Sequence, residues 1–272
     1  MENSTIGIIG VGMVGGALKH YFESVQKKPL LYDPSKGFGS QLQVNGADVL
    51  FICVPTPFRK DHGFDLSVVE STFQWLGGGK IVVIKSTVLP GTTEKFQSKY
   101  PQHKILFNPE FLVERRAIED MMHPDRQIVG YTKESKDVAE KVLELLPRAP
   151  FEKLVPASEA EMIKYFGNTY LATKVIFANQ MYDLCKQLGV DYEIVKEGAS
   201  SDPRIGQSHL DVFHGGYRGY GGKCLPKDIR ALIQFADEHQ VDLKLHKLVE
   251  ELNNELMRIQ SIEDPEKFSQ RE

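Results

Sequence analysis

The stretch from Gly219 to Asp228 (GYGGKCLPKD) combines glycines, a cysteine and a proline in an order that suits nucleophilic chemistry. Proline is favoured at the start of a helix, because its missing N–H costs no hydrogen bond there, so Pro226 predicts a helix that begins just after Cys224. Unpaired N–H groups and the positive end of the helix dipole stabilise a thiolate at that position. Lys223 and Lys227 add positive charge. A reactive cysteine and a glycine loop with a half-buried, inert cysteine both fit these residues taken alone.

A lysine and an asparagine lie in a long apolar segment from Ser158 to Leu188, which contains no proline. Ser158 and Glu161 have the spacing of a capping box, which predicts that a helix starts at Ser158. Lys164 and Asn168, four residues apart, then share one face of that helix. Such a pair can stabilise a developing oxyanion. A solvated lysine and an asparagine inside a helix explain the same two residues.

A G-x-G-x-x-G turn follows a short apolar run near the start of the chain and precedes an apolar, helix-like segment. This order of strand, glycine turn and helix is the one that a dinucleotide-binding turn requires. Gly10 is expected to make the tight turn, Gly12 to let a pyrophosphate approach the backbone, and Gly15 to let helix and strand pack closely. The phosphates would lie at the helix N-terminus, beside Met13 and Val14.

The second predicted strand, residues 30–32, ends at Asp33. A carboxylate at that point accepts hydrogen bonds from the adenosine ribose and repels a 2′-phosphate, which favours NAD over NADP. Lys36 nearby slightly weakens this preference. The alternative interpretation of Asp33 is a turn residue before Pro34.

Four further apolar runs predict strands that are buried on both faces, as in a parallel sheet. The carboxyl ends of the strands carry the ligand site in open α/β sheets. We therefore predict an α/β fold: a Rossmann-like, doubly wound parallel sheet over residues 1–150, then an all-α domain on a long central helix over residues 151–260, and a polar tail over residues 261–272. The runs are residues 49–54, 80–85, 104–107 and 127–131, and shorter helices are predicted at residues 191–199, 226–240 and 245–260.

Composition is that of an ordinary folded protein. With 272 residues, a net charge of −4 and 41% hydrophobic residues, nothing favours a nucleic-acid partner. No apolar run approaches the roughly 20 residues that span a bilayer, and no basic signal region is visible, so no membrane association is expected. Three widely spaced cysteines, Cys53, Cys185 and Cys224, argue against a disulfide framework and for a reducing, cytoplasmic location. The scattered histidines predict no metal site.

Taken together and in order, the motifs make the sequence resemble the UDP-glucose/GDP-mannose dehydrogenase family over residues 6–256. Each motif alone is modest, but their number and order leave little room for chance. The motifs are Gly10–Gly15, Val54–Pro57, Ser86-Thr87 with Pro90–Thr93, Asn108–Leu112, Pro124–Arg126, Lys164 with Asn168, Arg204–Gly206 and Gly221–Asp228.

The resemblance implies an enzyme that uses two NAD to oxidise a primary alcohol of a nucleotide sugar to a carboxylate. It implies that Cys224 attacks the intermediate aldehyde, and that the thiohemiacetal loses a second hydride to become a thioester, which water hydrolyses. Lys164 and Asn168 would stabilise the oxyanion, and Asp228 would order or activate the water. The side chains that would assist proton transfer are Glu110 and Thr87.

The same resemblance implies two sets of binding residues and an oligomer. In that family the arginine that matches Arg204 reaches into the neighbouring subunit's site, which implies a homodimer around the long helix. The expected NAD contacts are Gly10, Gly12, Met13, Val14, Gly15, Asp33, Lys36, Val54, Pro55, Thr56, Ser86, Thr87, Glu114 and Lys227. The expected nucleotide-sugar contacts are Glu110, Phe111, Leu112, Lys164, Asn168, Arg204, Tyr220, Gly221 and Gly222.

The sequence departs from the family pattern in its expected length and at two other places. The family has a third, UDP-binding domain after the central helices, and we expect this chain to be a short form without it. The segment from Pro34 to Asp48 is shorter than is usual, and Lys223 replaces a small or neutral residue.

Three functional hypotheses remain open. The first is an NAD-dependent nucleotide-sugar 6-dehydrogenase, with UDP-glucose the first choice. The second is an NAD-binding homologue that is inactive alone or needs a separate C-terminal partner. The third is a one-step, 3-hydroxyacid-type dehydrogenase, which explains Lys164 and Asn168 but not the loop at Cys224.

Overall fold

A sheet of seven strands, counted over the described residues, organises the first of the two units into which the chain divides. The structure is a computed structural model that describes residues 4–59 and 63–267. The units are Met1–Lys164 and Tyr165–Glu272. The strands, including those of a small hairpin, are β1 (Ile6–Ile9), β2 (Leu30–Tyr32), β3 (Val49–Ile52), β4 (Phe58–Arg59), β5 (Gly63–Phe64), β6 (Ile81–Ile84), β7 (Lys104–Phe107), β8 (Arg126–Tyr131) and β9 (Phe151–Pro156). The helices are α1 (Met13–Ser24), α2 (Gln41–Val44), α3 (Ser67–Trp75), α4 (Thr92–Lys99), α5 (Ala117–Met122), α6 (Lys136–Leu145), α7 (Ala157–Leu188), α8 (Tyr192–Ser200), α9 (Leu225–Glu238) and α10 (Lys244–Ile259).

The strand order in the sheet is β2-β1-β3-β6-β7-β8-β9, and β1 lies between β2 and β3. The order therefore reverses at β1, and open α/β sheets bind ligands outside the carboxyl ends of the strands at such a point. The sheet is buried on both faces, because alternate side chains of one strand enter different cores. Leu50 and Ile52 pack on one side, and Val49 and Phe51 on the other. These features confirm the predicted Rossmann-like, doubly wound fold.

Two strands differ from the purely parallel sheet that the sequence predicts. β8 runs antiparallel to β7, with Phe107 paired to Gly130, so β8 starts at the edge where β7 ends and needs no crossover. The sequence pattern does not predict β9, because this edge strand mostly alternates exposed and half-buried residues instead of forming an apolar run. The sheet thus continues past residue 150, where the sequence places the end of the first domain. The first compact unit extends to Lys164.

The predicted capping box at the start of α7 is wrong. The helix begins at Ala157, directly after β9, so no cap turn forms at Ser158. The Glu161 carboxylate instead accepts hydrogen bonds from the Gly91 N–H (2.6 Å), the Thr93 N–H (2.9 Å) and the Thr93 hydroxyl (2.6 Å). It therefore caps the neighbouring helix α4, whose own N-cap, Gly91, has no side chain to do so.

Helices form the second unit, as the sequence predicts. The long helix α7 is confirmed with 32 residues, and α8, α9 and α10 lie within two residues of their predicted bounds. Their core includes Ile176 of α7, Ile229 of α9 and Val249 of α10. None of the helices within the described ranges has the length and apolar character needed to cross a membrane.

Part of the predicted polar tail packs against the second unit. Ile262 is 7% exposed and joins Tyr217 and Met257 in a small apolar cluster. Glu266 forms an ion pair with Arg230 of α9 at 3.0 Å. These contacts hold Ile262 and Glu266 of the predicted tail against the rest of the second unit, and residues 268–272 lie outside the described part of the chain.

Candidate functional site

The glycine turn after β1 has the geometry that a dinucleotide requires. Gly10 has a φ of 87°, and its N–H donates to the Tyr32 carbonyl at 2.9 Å. A Cβ at Gly15 would lie 1.9 Å from the Gly10 carbonyl oxygen, whereas a Cβ at Gly12 would meet nothing within 4 Å. α1 has no side-chain cap and no acidic residue in its first turn. The turn therefore fits a pyrophosphate, which the uncapped N–H groups and the helix dipole would hold.

Asp33 and Lys36 converge on the same turn. The Asp33 carboxylate accepts hydrogen bonds from the Val11 N–H (2.8 Å) and from the N–H and hydroxyl of Ser35, and Lys36 Nζ donates to the Val11 carbonyl at 2.6 Å. Burial opposes ionisation, but the hydrogen bonds from Ser35 and Val11 and the charge of Lys36 lower the pKa of Asp33 below its ordinary value. Asp33 also caps the short 3-10 turn Pro34–Lys36, so it has the turn role that the alternative interpretation gave it.

Two hydroxyl groups tie together the loops that follow β3 and β6. The Thr56 hydroxyl donates to the Thr87 carbonyl at 2.8 Å, and the Ser86 hydroxyl donates to the Val54 carbonyl at 2.7 Å. Val54, Thr56 and Ser86 are buried, while Thr87 is half-buried. Thr56 and Ser86, both predicted to contact NAD, thus use their hydroxyls to hold the two loops together.

The other predicted NAD contacts of the first unit lie nearer the surface. Met13 and Val14, in the first turn of α1, are half-buried, and Pro55 after β3 is exposed. Glu114 is exposed at the start of the 3-10 turn Glu114–Arg116. These positions place backbone and side chains at the carboxyl ends of the strands, where the sequence predicts the site.

A buried ion pair lies after β7. Lys164 Nζ donates to the Glu110 carboxylate (Oε1, 2.9 Å) and to the Glu110 carbonyl (2.6 Å), and both side chains are almost fully buried. The Leu112 N–H donates to the other carboxylate oxygen at 2.9 Å. Burial opposes ionisation of Glu110, but the charge and hydrogen bond of Lys164 outweigh it and lower the pKa of the carboxyl. The carboxylate is therefore ionised and can accept a proton.

A second buried lysine beside this pair was not predicted as a site residue. Lys85 is 4% exposed, and its Nζ donates to the Asn108 side-chain oxygen. Asn108 in turn donates to the carbonyl of Ile128 at 2.7 Å. Burial lowers the pKa of Lys85, and the Glu110 charge opposes that shift. The signal was present in the sequence, since both polar residues directly follow apolar strands.

Phe111, predicted to contact the substrate, lies close to two cations. The guanidinium carbon of Arg126 lies 3.9 Å from the centre of its ring, and Lys164 Nζ lies 5.7 Å from it. Leu112 beside it is half-buried. Arg126 belongs to the Pro124–Arg126 motif, but sequence reasoning gave it no role, because its contact with Phe111 depends on the antiparallel β8.

In the second unit, Cys224 is the N-cap of α9, which confirms the predicted helix start. No side chain caps this helix, and Pro226 lies in its first two positions. The Asp228 N–H donates to the Cys224 carbonyl at 3.0 Å, which closes the first turn. Cys224 is half-buried, and Lys223 before it is exposed. The thiol therefore lies where the helix dipole favours its ionised form.

Asp228 is fully buried and gathers two of the predicted site residues. The Asn168 amide donates to one carboxylate oxygen at 2.5 Å, and Lys227 Nζ donates to the other. Asn168, predicted for the oxyanion, and Lys227, predicted for NAD, therefore both contact Asp228. Lys164 contacts Glu110 instead, so each donor of the predicted oxyanion pair has its own carboxylate.

Two residues predicted to contact the substrate have side chains that contact other parts of the protein. Arg204 has a side chain that is 90% exposed and forms an ion pair with Asp202 of its own loop at 2.5 Å. Tyr220 is 3% exposed, and its side chain packs in the core of the second unit. The half-buried Gly221 and Gly222 follow it. A contact of this loop with a ligand would therefore use the glycines and not the phenol.

Two models of one family match the chain. Residues 35–146 match the NAD binding domain of the UDP-glucose/GDP-mannose dehydrogenase family, and residues 158–255 match its central domain. The structure of a UDP-glucose dehydrogenase from Pyrobaculum islandicum is 30% identical, with a TM-score of 0.80 over 94% of this chain and 69% of that one. The chain belongs to the UDP-glucose/GDP-mannose dehydrogenase family.

Curated members of the family are similar over part of their length. The UDP-glucose 6-dehydrogenase of Pseudomonas aeruginosa is 39% identical over 227 residues, which are 76% of this chain and 48% of that protein. The UDP-glucose 6-dehydrogenase of Rickettsia conorii is 34% identical over 222 residues, which are 78% of this chain and 50% of that protein. The chain thus spans about half the length of these curated relatives.

Family membership confirms the resemblance drawn from the motifs and NAD as the cofactor. The matched NAD binding domain begins at residue 35, so the glycine turn from Gly10 to Gly15 precedes it and is supported by its own geometry. In the part of the chain that the structure describes, no group of three or more His, Cys, Asp or Glu residues is placed to hold a metal ion.

Proposed function

We propose that this family member oxidises the C6 hydroxymethyl group of a nucleotide sugar, UDP-glucose being the first choice, to a carboxylate. The observation that carries the proposal is Cys224, which occupies the N-cap position of α9 one turn ahead of the buried Asp228. A one-step dehydrogenase has no use for a thiol in that place. NAD supplies the hydride acceptor in each of the two oxidations.

In the first oxidation, Glu110 accepts the proton of the alcohol, with the Thr87 hydroxyl as a relay, while the carbon gives up a hydride. Glu110 suits this role because Lys164 keeps its carboxyl ionised. This step leaves an aldehyde, with the proton of the alcohol on Glu110 and the hydride taken up by NAD. The Phe111 ring lies against Arg126 and near Lys164.

In the second oxidation, the Cys224 thiolate attacks the aldehyde carbon, and the resulting oxyanion is stabilised by donors from Lys164 and Asn168 before it gains a proton. Loss of a second hydride from the thiohemiacetal leaves a thioester. Water attacks that carbonyl carbon, the C–S bond breaks, and the thiolate is restored. Asp228, held by Asn168 and Lys227, accepts the proton of this water.

We also propose that the chain forms a homodimer through α7. Large apolar side chains of this helix are exposed at spacings of four and seven residues, which form one stripe: Phe166 (73%), Tyr170 (53%), Phe177 (59%), Leu184 (51%) and Leu188 (67%). A stripe of this kind is typical of helix pairing. The exposed Arg204 would then reach the neighbouring subunit's site. A cytoplasmic location is proposed with it, since Cys53 and Cys185 are free thiols.

The test is a stoichiometry. Protein, NAD and UDP-glucose should yield two NADH for each UDP-glucuronate formed, and Cys224→Ala should abolish formation of the acid. Cys185→Ala, in a buried thiol of α7, is the matched control and should keep the ratio of two. One NADH per sugar, or unchanged acid formation by Cys224→Ala, would contradict the thioester scheme.

Two other outcomes would favour the remaining hypotheses. Calorimetry that shows NAD binding without UDP-glucose binding would support a homologue that needs a separate C-terminal partner. Oxidation of a small 3-hydroxyacid that does not depend on Cys224 would support a one-step dehydrogenase.

A further inference from the structure

Two amide side chains, Asn253 of α10 and Gln260 just after this helix, hold the backbone of the loop that leads to Cys224. Gln260 accepts a hydrogen bond from the Arg218 N–H (2.8 Å) and donates to the Arg218 carbonyl (3.0 Å). Asn253 does the same to Tyr220, accepting from its N–H at 2.7 Å and donating to its carbonyl at 3.0 Å. Each amide thus fixes the backbone N–H and carbonyl of one residue. The two fixed residues, Arg218 and Tyr220, are separated by Gly219.

The glycines of the loop fit this arrangement. Gly219 has a φ of +91°, and a Cβ there would lie 2.6 Å from the Asn253 side-chain oxygen. The Gly222 N–H donates to the Pro265 carbonyl at 2.8 Å, beyond the end of α10. Gly219 therefore has two reasons to lack a side chain: its backbone conformation and its contact with Asn253.

Asn253 occupies a core position, which makes its role specific. The buried residues of α10 are Val249, Asn253 and Met257, and Asn253 is 1% exposed. An aliphatic side chain at that point would bury more apolar surface, whereas a buried amide is tolerated only when its polar atoms are paired. Both polar atoms of Asn253 are paired with Tyr220. The amide thus specifies where the loop lies.

The loop is also tied to α7, the helix that carries Asn168. The Arg218 guanidinium donates to the Asn179 side-chain oxygen at 3.0 Å and to the Asp183 carboxylate at 2.8 Å. Residues 218–222 are therefore fastened to two helices of the second unit. They lead directly to the N-cap of α9.

We propose that Asn253, assisted by Gln260, is a positioning residue that fixes residues 218–222 and so sets the place of the Cys224 thiol for attack on the aldehyde. The proposal rests on the proposed function in that Cys224 is the nucleophile. Asn253 acts through the loop backbone and does not itself contact the reacting atoms.

The experiment compares Asn253→Leu with Asn254→Leu, a change of the same kind at the next, exposed residue of α10. Amide hydrogen exchange of residues 218–224 and the rate of Cys224 alkylation by iodoacetamide, located by peptide mass spectrometry, are measured on the whole protein. For Asn253→Leu we expect exchange at the Tyr220 amide to rise about tenfold or more, because its acceptor is lost. We expect the alkylation rate to change and kcat with UDP-glucose to fall about tenfold, with KM for NAD unchanged. Asn254→Leu should match the wild type.

Two further variants keep the test decisive. Asn253→Asp keeps the acceptor for the Tyr220 N–H but loses the donor to its carbonyl, so its exchange and alkylation rates should lie between those of the wild type and Asn253→Leu. If Asn253→Leu does not fold, Gln260→Met removes the half-buried amide at the end of α10 and should loosen Arg218 and the loop. Wild-type exchange and alkylation in folded Asn253→Leu, or in Gln260→Met where that variant replaces it, would overturn the proposal. Failure of the proposed function would show differently, as wild-type protein that makes no UDP-glucuronate.

Discussion

At the level of single residues, each unit has a buried carboxylate that gathers polar groups around it. Glu110 is paired with Lys164 in the first unit, and Asp228 is paired with Asn168 and Lys227 in the second. A buried ion pair adds little net stability over an apolar pair, but removing one partner leaves a charge in a medium that solvates it poorly. The stability of a variant that lacks one partner therefore depends on the protonation state of the carboxylate that remains.

Lys164→Met should destabilise the protein in a pH-dependent way. The pKa of Glu110 is lowered in the folded wild type, so its ionisation contributes stability that is complete above the ordinary carboxyl pKa and is lost as the pH falls from there through the lowered pKa of the folded state. Without Lys164, burial still opposes ionisation of Glu110, and only the Leu112 N–H and the charge of Lys85 remain to lower its pKa. We expect a loss of about 3–5 kcal/mol in the free energy of unfolding at pH 8 and a smaller loss at pH 5, because proton binding by the unpaired Glu110 costs less free energy as the pH falls.

Urea denaturation of Lys164→Met at the two pH values measures this difference. Lys99→Met is the matched control, because Lys99 forms an exposed ion pair with Glu70, with side-chain exposures of 55% and 38%. The loss in the free energy of unfolding that Lys99→Met causes should stay within about 1 kcal/mol at both pH values. Equal destabilisation of Lys164→Met at pH 5 and pH 8 would show that Glu110 does not carry the uncompensated charge.

At the level of elements, Glu161 joins the start of α7 to the start of α4, and this contact should make the stability depend on pH. Glu161 is fully buried, and burial raises its pKa to about 7 despite the hydrogen bonds from Thr93 and Gly91. The folded state therefore binds this proton more tightly than the unfolded chain. Its contribution to stability is complete below the unfolded carboxyl pKa and is lost as the pH rises through about 7.

Glu161→Gln should remove this dependence, because glutamine does not titrate. Its single side-chain oxygen can still accept from the Thr93 N–H and hydroxyl, whereas the Gly91 N–H donates to the other carboxylate oxygen and loses that acceptor. Between pH 5 and pH 8 the free energy of unfolding of the variant should rise, relative to the wild type, by up to about 3 kcal/mol. Denaturation series at several pH values measure it. Glu159→Gln, at an exposed position of the same helix turn, should leave the wild-type dependence intact. Parallel curves for Glu161→Gln and the wild type would refute the assignment.

The elements also show how far sequence reasoning reaches. Continuous apolar runs identify β3, β6 and β7, because a strand buried on both faces leaves no other pattern. β9 does not show this pattern, because it lies at an edge of the sheet and mostly alternates exposed with half-buried residues. The capping box at Ser158 fails because a strand runs directly into α7, and a local motif carries no information about what precedes it in space.

The partners of the site residues could not be predicted in the same way. Cys224 at a helix start follows from Pro226 two residues later, which is local information. The contact between Asn168 and Asp228 joins residues 60 positions apart, and the sequence offers no rule for it. The spacing of Lys164 and Asn168 on one helix face and the family resemblance both suggest an oxyanion for Asn168, and the structure adds the carboxylate to which its amide donates.

At the level of the whole molecule, the proposed dimer makes a testable claim about α7. The exposed stripe repeats at heptad-like intervals along the part of α7 that lies in the second unit, and burying each phenylalanine in a partner would contribute about 1.5–3 kcal/mol. A glutamate within the stripe would instead lie against the same glutamate of the partner or against the partner's apolar residues, which disfavours the dimer. We expect the wild type to sediment at twice 30.7 kDa and Phe166→Glu/Phe177→Glu at 30.7 kDa. Leu245→Glu, which changes a similarly exposed residue of α10, should leave the dimer intact.

Subunit mixing tests whether the dimer completes the site. If Arg204 acts in the neighbouring subunit's site, then Arg204→Ala and Cys224→Ala homodimers should each be inactive. A mixed dimer contains one site with both an intact thiol and an intact arginine from its partner, because the two defects fall on the other site. Refolding the two variants together should therefore restore about a quarter of the wild-type activity, as half of the dimers are mixed and each has one whole site. No restoration, with mixed dimers confirmed by mass, would place Arg204 and Cys224 of the same subunit in one site.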